Sequence, residues 1–262
     1  MGLGNGGRPV KAVILSAGQG KRLLPLTTSE PKCMVRVGRQ TVLEWQLEQL
    51  ALCGFREVAV VVGFGEAHVR RALGRWSLPL DVRAISNPYY RTSDNLVSCW
   101  IAGEEMSSDF LLVNGDTIFE ASVLERVLAS EPAPITIAID HKPSYDADDM
   151  KVQCEGRRLI AVGKQLPPER TDGEAIGMIL FRGDGPKLFR GMLESMMSDP
   201  SAQKAWYLSA VDRLANLGHV RTASITPYQW VEVDFPRDLE HASAMVTNWL
   251  DPDAAIPVQN VG

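Results

Sequence analysis

The sequence predicts an α/β fold: a mixed, mostly parallel sheet with helices on both faces. Three observations carry the prediction. Short β-branched runs alternate with stretches of helical period through the first 140 residues, as expected of strands joined by helical crossovers. Runs near 151–153, 159–162 and 175–181 then follow without helices, which predicts an antiparallel extension and a small β-rich lobe over about 140–180. No Gly/Ser linker, composition break or internal repeat divides the chain. A single domain over 10–250 is expected, between a flexible leader at 1–9 and a tail at 251–262.

In order along the chain, Val10–Leu15 reads as a buried strand that Ser16-Ala-Gly-Gln-Gly20 stops. Val42–Cys53 carries apolar residues at 42, 43, 47, 50 and 51, a helical spacing that Gly54 ends. Val58–Val62 is a second strand, Glu66–Leu73 a short helix and Asp81–Ile85 a third strand. A helix over Asp94–Met106 is expected, capped by Ser93 or Asp94. Phe110–Val113 and Ile135–Ile139 are the next strands, with a helix over Ser122–Ala129 between them. Helices at about 186–197, 205–217 and 236–249, a strand at 220–225 and the segment Trp230–Asp234 complete the pattern.

Composition excludes several classes. The 262 residues are 45% hydrophobic and 23% charged, ordinary for a soluble globular chain. A net charge of −5 is not the basic footprint of a nucleic-acid binder. No apolar run approaches the roughly 18 residues of a membrane span, and the first eight residues have no apolar core, as a secretory signal would. A cytoplasmic enzyme-sized domain is expected. Cys33, Cys53, Cys99 and Cys154 form no Cys-x-x-Cys pair, and the four histidines show no ligand spacing, so no zinc site is expected. Cys53 and Cys99 read as small buried hydrophobes, while Cys33 stands beside the cation Lys32.

In open α/β sheets ligands bind outside the carboxyl ends of the strands. The first such end is Leu15-Ser-Ala-Gly-Gln-Gly-Lys-Arg22, running on to Pro31-Lys32. Gly18 and Gly20 let backbone N–H groups approach phosphate oxygens, and Lys21, Arg22 and Lys32 add cations. A plain tight turn is the alternative. The dinucleotide fingerprint fails because Leu23 stands where its third glycine belongs, and the Walker pattern fails because Arg22 follows Gly20-Lys21. With Pro25 and Pro31 the segment reads as a long irregular clamp. Asp116 falls just past the apolar run Phe110–Val113, where a divalent metal or a simple turn would account for it. Glu232 and Asp234 share one face of a strand by alternation, and repel unless a cation lies near; a solvent-facing edge is the alternative. Asp238 reads as structural, near the start of the last helix.

The stretch from Leu15 through Gly18, Gly20, Arg22, Leu23, Pro25-Leu-Thr27 and Pro31-Lys32 resembles the signature of the nucleoside-triphosphate transferases. These are the nucleotidylyltransferases of sugar phosphates and phospho-alcohols, in which an Ala usually stands where Ser16 does. Val113-Asn-Gly-Asp116 and Trp230-Val-Glu-Val-Asp234 resemble the family's metal motifs, so the likeness runs from about 10 to 245. Asn87-Pro-Tyr-Tyr through Asn95-Leu-Val-Ser98 is similar to the phosphocholine and aminoethylphosphonate cytidylyltransferases, although Asp94-Asn95 replaces their usual pair of asparagines.

The resemblance implies a Rossmann-like sheet with a small acceptor-binding lobe, and a Mg²⁺-dependent cytidylyltransferase. A phosphate or phosphonate oxygen of a small acceptor attacks the α-phosphorus of CTP in line, and pyrophosphate leaves. The triphosphate falls to Leu15, Ala17, Gly18, Gly20, Lys21 and Arg22, with Lys32 near the α-phosphate. Mg²⁺ falls to Asp116 and Asp234, with Glu232 a third ligand or an orienting neighbour. Asn95 and Ser98 face the pyrimidine or ribose, with a helix cap the alternative for Asn95. Lys164 lies near the acceptor phosphoryl group, with a solvated surface lysine the alternative, and Glu174 receives a ribose, an acceptor hydroxyl or an ammonium. Tyr89, Tyr90, Trp206, Tyr207 and Trp230 are either core or the walls of an ammonium cage. Asp146, Asp148 and Asp149 either bind a primary ammonium or are a solvated loop. A sugar-1-phosphate nucleotidylyltransferase and a catalytically dead regulatory subunit are the competing readings, and a homodimer is left open.

Overall fold

The computed structural model describes residues 10–250; the leader at 1–9 and the tail at 251–262 lie outside the described residues. β1 (Lys11–Ser16) is followed by a long connection whose only regular pieces are two 3-10 turns, Lys21–Leu23 and Lys32–Met34. A minimal hairpin, β2 (Arg36–Val37) and β3 (Gln40–Thr41), leads into α1 (Val42–Leu52). Thr41 accepts from Glu44 N and the Glu44 carboxylate accepts from Thr41 N, which satisfies two otherwise orphaned donors at the start of α1. β4 (Glu57–Val62), α2 (Glu66–Leu73), β5 (Asp81–Ser86), α3 (Asn95–Ile101) and β6 (Phe110–Asn114) come next. Then follow β7 (Thr117–Phe119), α4 (Ala121–Leu128), β8 (Ile135–Asp140), β9 (Lys151–Glu155), β10 (Arg158–Val162) and β11 (Gly173–Phe181). α5 (Gly185–Met197), α6 (Leu208–Asn216), β12 (Val220–Ser224), β13 (Trp230–Glu232) and α7 (Pro236–Leu250) end the described chain.

Nine strands form one sheet in the order β5-β4-β1-β6-β11-β8-β12-β10-β9. β5, β4, β1 and β6 are parallel, β11 is antiparallel to β6 and β8, and β9–β10 is an antiparallel hairpin whose first strand also reaches β11. The sheet is thus mixed, parallel in its first half, with the antiparallel extension at the expected place. β1 is apolar on both sides because both faces are covered. Val13 joins the core shared with Phe181, Phe189 and Leu214, and Ile14 the core shared with Leu43, Leu47 and Val123. Among the described residues no helix is long and apolar enough to cross a membrane.

Three features differ from expectation. The helix over Asp94–Met106 ends at Ile101, with Asp94 at its N-cap, and residues 102–106 continue as turns around Gly103. The strand expected to carry both Glu232 and Asp234 ends at Glu232, and β13 pairs with β7 in a separate two-stranded ribbon. β2, β3 and β7 are too short to leave a periodic signal. A third core, with Leu23, Trp45, Ile118, Val233 and Val246, packs α7 and the ribbon under the long connection and so seats the site.

Candidate active site

The chain leaves β1 toward β4 and β5 and returns on the other side of β1 as β6, so β1 and β6 flank a topological switch point. A cleft of about 940 Å³ opens over their carboxyl ends. Gly115 closes the switch point: its N–H donates to Leu15 O at 2.9 Å, and a Cβ there would lie 2.5 Å from that oxygen. Only glycine fits, and the next residue is Asp116.

The connection after β1 forms one wall. Gly18 has open space beside its backbone, whereas Gly20 takes a left-handed φ of 74° and packs on the Lys32 stem. Thr27 Oγ1 donates to Gly20 O at 2.7 Å and Gln19 Nε2 to Thr27 O at 3.2 Å, which folds the loop back on itself. Leu15, Ala17, Gly18, Gly20, Lys21 and Arg22 all line the cleft, as an irregular clamp and not a helix N-terminus. Lys21 is exposed, while Arg22 lies over the Phe235 ring and 3.1 Å from Asp234.

Lys32 Nζ stands between two carboxylates, 2.7 Å from Asp116 Oδ2 and 2.5 Å from Asp234 Oδ1. Burial opposes its charge, yet Asp116 and Asp234 together hold the ammonium pKa above its usual value. Asp234 is oriented by Asp238, whose Oδ2 accepts from Asp234 N at 3.0 Å and Phe235 N at 2.7 Å, the structural role read from the sequence. Val233 is buried against α7, so Glu232 and Asp234 turn to the cleft. Glu232 is an exposed residue of the cleft wall, and its carboxyl is held above the ordinary range by the desolvating wall around it and then by Asp116 and Asp234. Among the described residues no three His, Cys, Asp or Glu side chains already form a metal cage. The donor set nonetheless fits a hard divalent cation: Asp116 Oδ1 is buried without a hydrogen-bond partner, and Asp234 and Glu232 line the same cleft with further carboxylate oxygens.

At one end of the cleft, Asn87 Nδ2 donates to Ser98 Oγ at 3.0 Å, and Asn87 Oδ1 accepts from Tyr89 N at 2.9 Å. Asn95 Oδ1 accepts from Tyr207 N at 2.8 Å. At the other end, Lys142 Nζ lies 2.7 Å from Asp149 Oδ1 and 2.9 Å from Glu174 Oε2. Glu174 is buried, and burial above all pushes its carboxyl up to about 7, with Lys142 opposing and Asp149 reinforcing the rise. Lys164 Nζ sits 5.2 Å over the Trp206 ring and 3.4 Å from Asp148. Trp230 Nε1 donates to Asp140 Oδ2 at 2.9 Å.

The five aromatic candidates separate. Tyr89 is 57% exposed, whereas Tyr207 is buried and donates its hydroxyl to Asn114 Oδ1 at 3.0 Å. Tyr90, Trp206 and Trp230 line the cleft, and Lys164 takes the Trp206 face. Of the acidic loop, Asp149 is held by Lys142, Asp146 Oδ1 accepts from Asp148 N and Asp149 N, and Asp148 faces Arg22 and Lys164. Cys33 is buried and its thiol pushed up to about 12 by burial, so the neighbouring lysine leaves it unreactive; Cys99 is buried, and Cys53 half-buried. Lys142 and Asn114 escaped the sequence reading, though Asn114 ends β6 and Lys142 lies two residues past β8, where the rule that located Asp116 also points.

A model of the MobA-like NTP transferase domain matches residues 12–260. A CMP-5'-(3-aminopropyl)phosphonate synthase from Streptomyces rubellomurinus is 30% identical over 242 residues, covering 89% of this chain and 38% of that protein. A bifunctional IPC transferase and DIPP synthase from Aquifex aeolicus is 27% identical over 234 residues, covering 88% of this chain and 50% of that one. The chain therefore spans half or less of the length of either relative. The solved structure of the inositol-1-phosphate CTP transferase from T. maritima superposes with a TM-score of 0.76 at 19% identity, covering 90% of this chain and 96% of that one.

Proposed function

The chain belongs to the family of MobA-like NTP transferase domains, and from that premise we propose that it transfers the cytidylyl group of CTP to a small phospho-alcohol or phosphonate, with release of pyrophosphate. The observation that carries the reading is the Lys32 ammonium between Asp116 and Asp234, set at the switch point beneath the Gly18–Arg22 loop. Such a site has both signs of charge ready for a polyanion and its counter-ion. The relative from Streptomyces, whose name describes the synthesis of a CMP-phosphonate, supports the choice of base and acceptor class.

In this reading the backbone at Gly18 and Gly20, with Lys21 and Arg22, grips the β- and γ-phosphates. Lys32 turns from the aspartates to the α-phosphate, where its charge offsets the charge that builds in the transition state. Asp116 and Asp234, with Glu232 beside them, would hold Mg²⁺, which neutralises the triphosphate and eases departure of pyrophosphate. No general base is required, because a phosphate or phosphonate oxygen is already ionised near neutral pH. Lys142 and Lys164 hold the acceptor's anionic group in line with the α-phosphorus, and positioning supplies much of the rate. Glu174, Trp206 and Trp230 shape the rest of the acceptor wall.

Pyrophosphate release decides the matter. CTP, UTP, dTTP and GTP are each paired with phosphocholine, 2-aminoethylphosphonate and glucose-1-phosphate, with and without Mg²⁺. Release with CTP, Mg²⁺ and one of the first two acceptors is expected. Release confined to glucose-1-phosphate with UTP or dTTP would replace the reading with that of a sugar nucleotidylyltransferase, and silence across the panel would remove the assignment.

A further inference from the structure

The segment 203–207 carries Trp206 to the acceptor end of the cleft, but the start of α3 holds it. Asp94 N donates to Gln203 O at 2.7 Å and Leu96 N to Ala205 O at 3.3 Å. Between them Asn95 Oδ1 accepts from Tyr207 N at 2.8 Å, and the Tyr207 hydroxyl reaches on to Asn114 Oδ1 at the end of β6. The two main-chain bonds are open to any residue with an N–H. The third needs a short side chain with an acceptor oxygen at 95, and its donor belongs to a residue only 1% exposed, so its loss would leave a buried N–H unpaired.

We infer that Asn95 is a positioning residue for the acceptor: its side-chain oxygen fixes the 203–207 segment and so sets where Trp206, with Lys164 over its ring, meets the incoming group. The inference rests on the cytidylyltransferase reading for its substrate but not for its geometry. It gives Asn95 a task other than contact with the nucleotide, since the oxygen that would face a pyrimidine is committed to Tyr207. Asn114 anchors the other end of the same chain of bonds two residues before Asp116, so the acceptor wall and the metal carboxylate share one support.

The test has two arms. Amide hydrogen exchange on the full chain should quicken at 205–208 in Asn95→Ala, and stay near the native rate in Asn95→Asp, which keeps an acceptor oxygen. In turnover with CTP and 2-aminoethylphosphonate, or phosphocholine if that is the better substrate, Asn95→Ala should raise the acceptor KM about tenfold, the worth of one buried hydrogen bond. The KM for CTP should move less than about twofold, and Asn95→Asp should restore the acceptor KM. Asn95→Gln keeps the amide but displaces its oxygen by a methylene, and should reproduce the alanine split should the alanine variant fold poorly. Unchanged exchange in Asn95→Ala, or a CTP KM that rises as much as the acceptor KM, overturns the inference. Absence of turnover with every acceptor sinks the cytidylyltransferase reading instead, and exchange alone then judges the clamp.

Discussion

Lys32 and Lys142 each stand between two carboxylates, one toward either end of the same cleft, and the chain builds the two arrangements differently. Lys32 comes from the connection after β1, and its partners come from the turn after β6 and the residue pair beyond β13. Its side chain is 12% exposed, and the aspartates are placed by the Gly115 turn and by the Asp238 carboxylate, which accepts from Asp234 N. Lys142 follows the end of β8, and its side chain is 34% exposed; its partners are Asp149 in a loop and Glu174 in β11. Burial raises the carboxyl pKa of one of those partners, Glu174. The first arrangement is a closely held charge store, which in the proposed reading meets the triphosphate. The second has an adjustable member, which suits an acceptor whose charge depends on its own protonation.

That contrast breaks most visibly at the first lysine's partners. Asp116→Asn removes one of the two negative charges facing Lys32 and the carboxylate with the unpartnered oxygen, so kcat should fall by about a thousandfold, as for other groups that stabilise transferred charge. Steady-state pyrophosphate release checks it, and a fall of less than tenfold would deny Asp116 a place in the chemistry. Gly115→Ala tests rigidity rather than charge. The added methyl has to push Leu15 O or Ser16 aside, which should cost roughly 1–3 kcal/mol of stability and displace Asp116. Thermal unfolding and kcat should therefore fall together. At the second lysine, Lys142→Met should raise the acceptor KM by about tenfold with the CTP KM nearly unchanged, as expected when uniform binding at one subsite is lost. Equal changes in both constants would erase the division of the cleft into two ends.

The first arrangement was legible in the sequence and the second was not, for physical reasons. The residues from Leu15 to Lys32 form one local segment, Asp116 follows the continuous apolar run Phe110–Val113, and Asp234 closes a segment in which Val and carboxylate alternate. Val233 buried and Glu232–Asp234 turned to the cleft follow from period two alone. The strand and helix pattern through residue 140 was legible for the same reason. By contrast, Lys142 meets Glu174 because β8 and β11 pair antiparallel, with Glu174 opposite Asp140 and the register slipping before Ile179, where Gly177 sits against Asn114. Long-range register leaves no mark in a window of sequence. Tyr207 shows the same limit: its aromatic ring reads as cage or core alike until Asn95 and Asn114 are seen to hold it inside. The pairing of β7 with β13, three residues a side, is likewise a long-range match that no local pattern announces.

The smallest effect sharpens the contrast by pH. Burial lifts the Glu174 carboxyl from its ordinary 4.5 to about 7. Between those values the unfolded chain has already released this proton and the folded chain retains it, so the folded state binds more protons and loses stability as pH rises. Asp149 moves the other way, below its ordinary value under the pull of Lys142 and the Asp146 N–H against the cost of burial, so its stabilising share is lost only at more acid pH. Glu174→Gln removes the titrating group without changing its shape. The fall in Tm between about pH 5 and 7.5 should be shallower in the variant than in the native chain. Parallel Tm profiles would mean that Glu174 stays ionised against Lys142 throughout, and the second lysine would then be as fixed a charge store as the first.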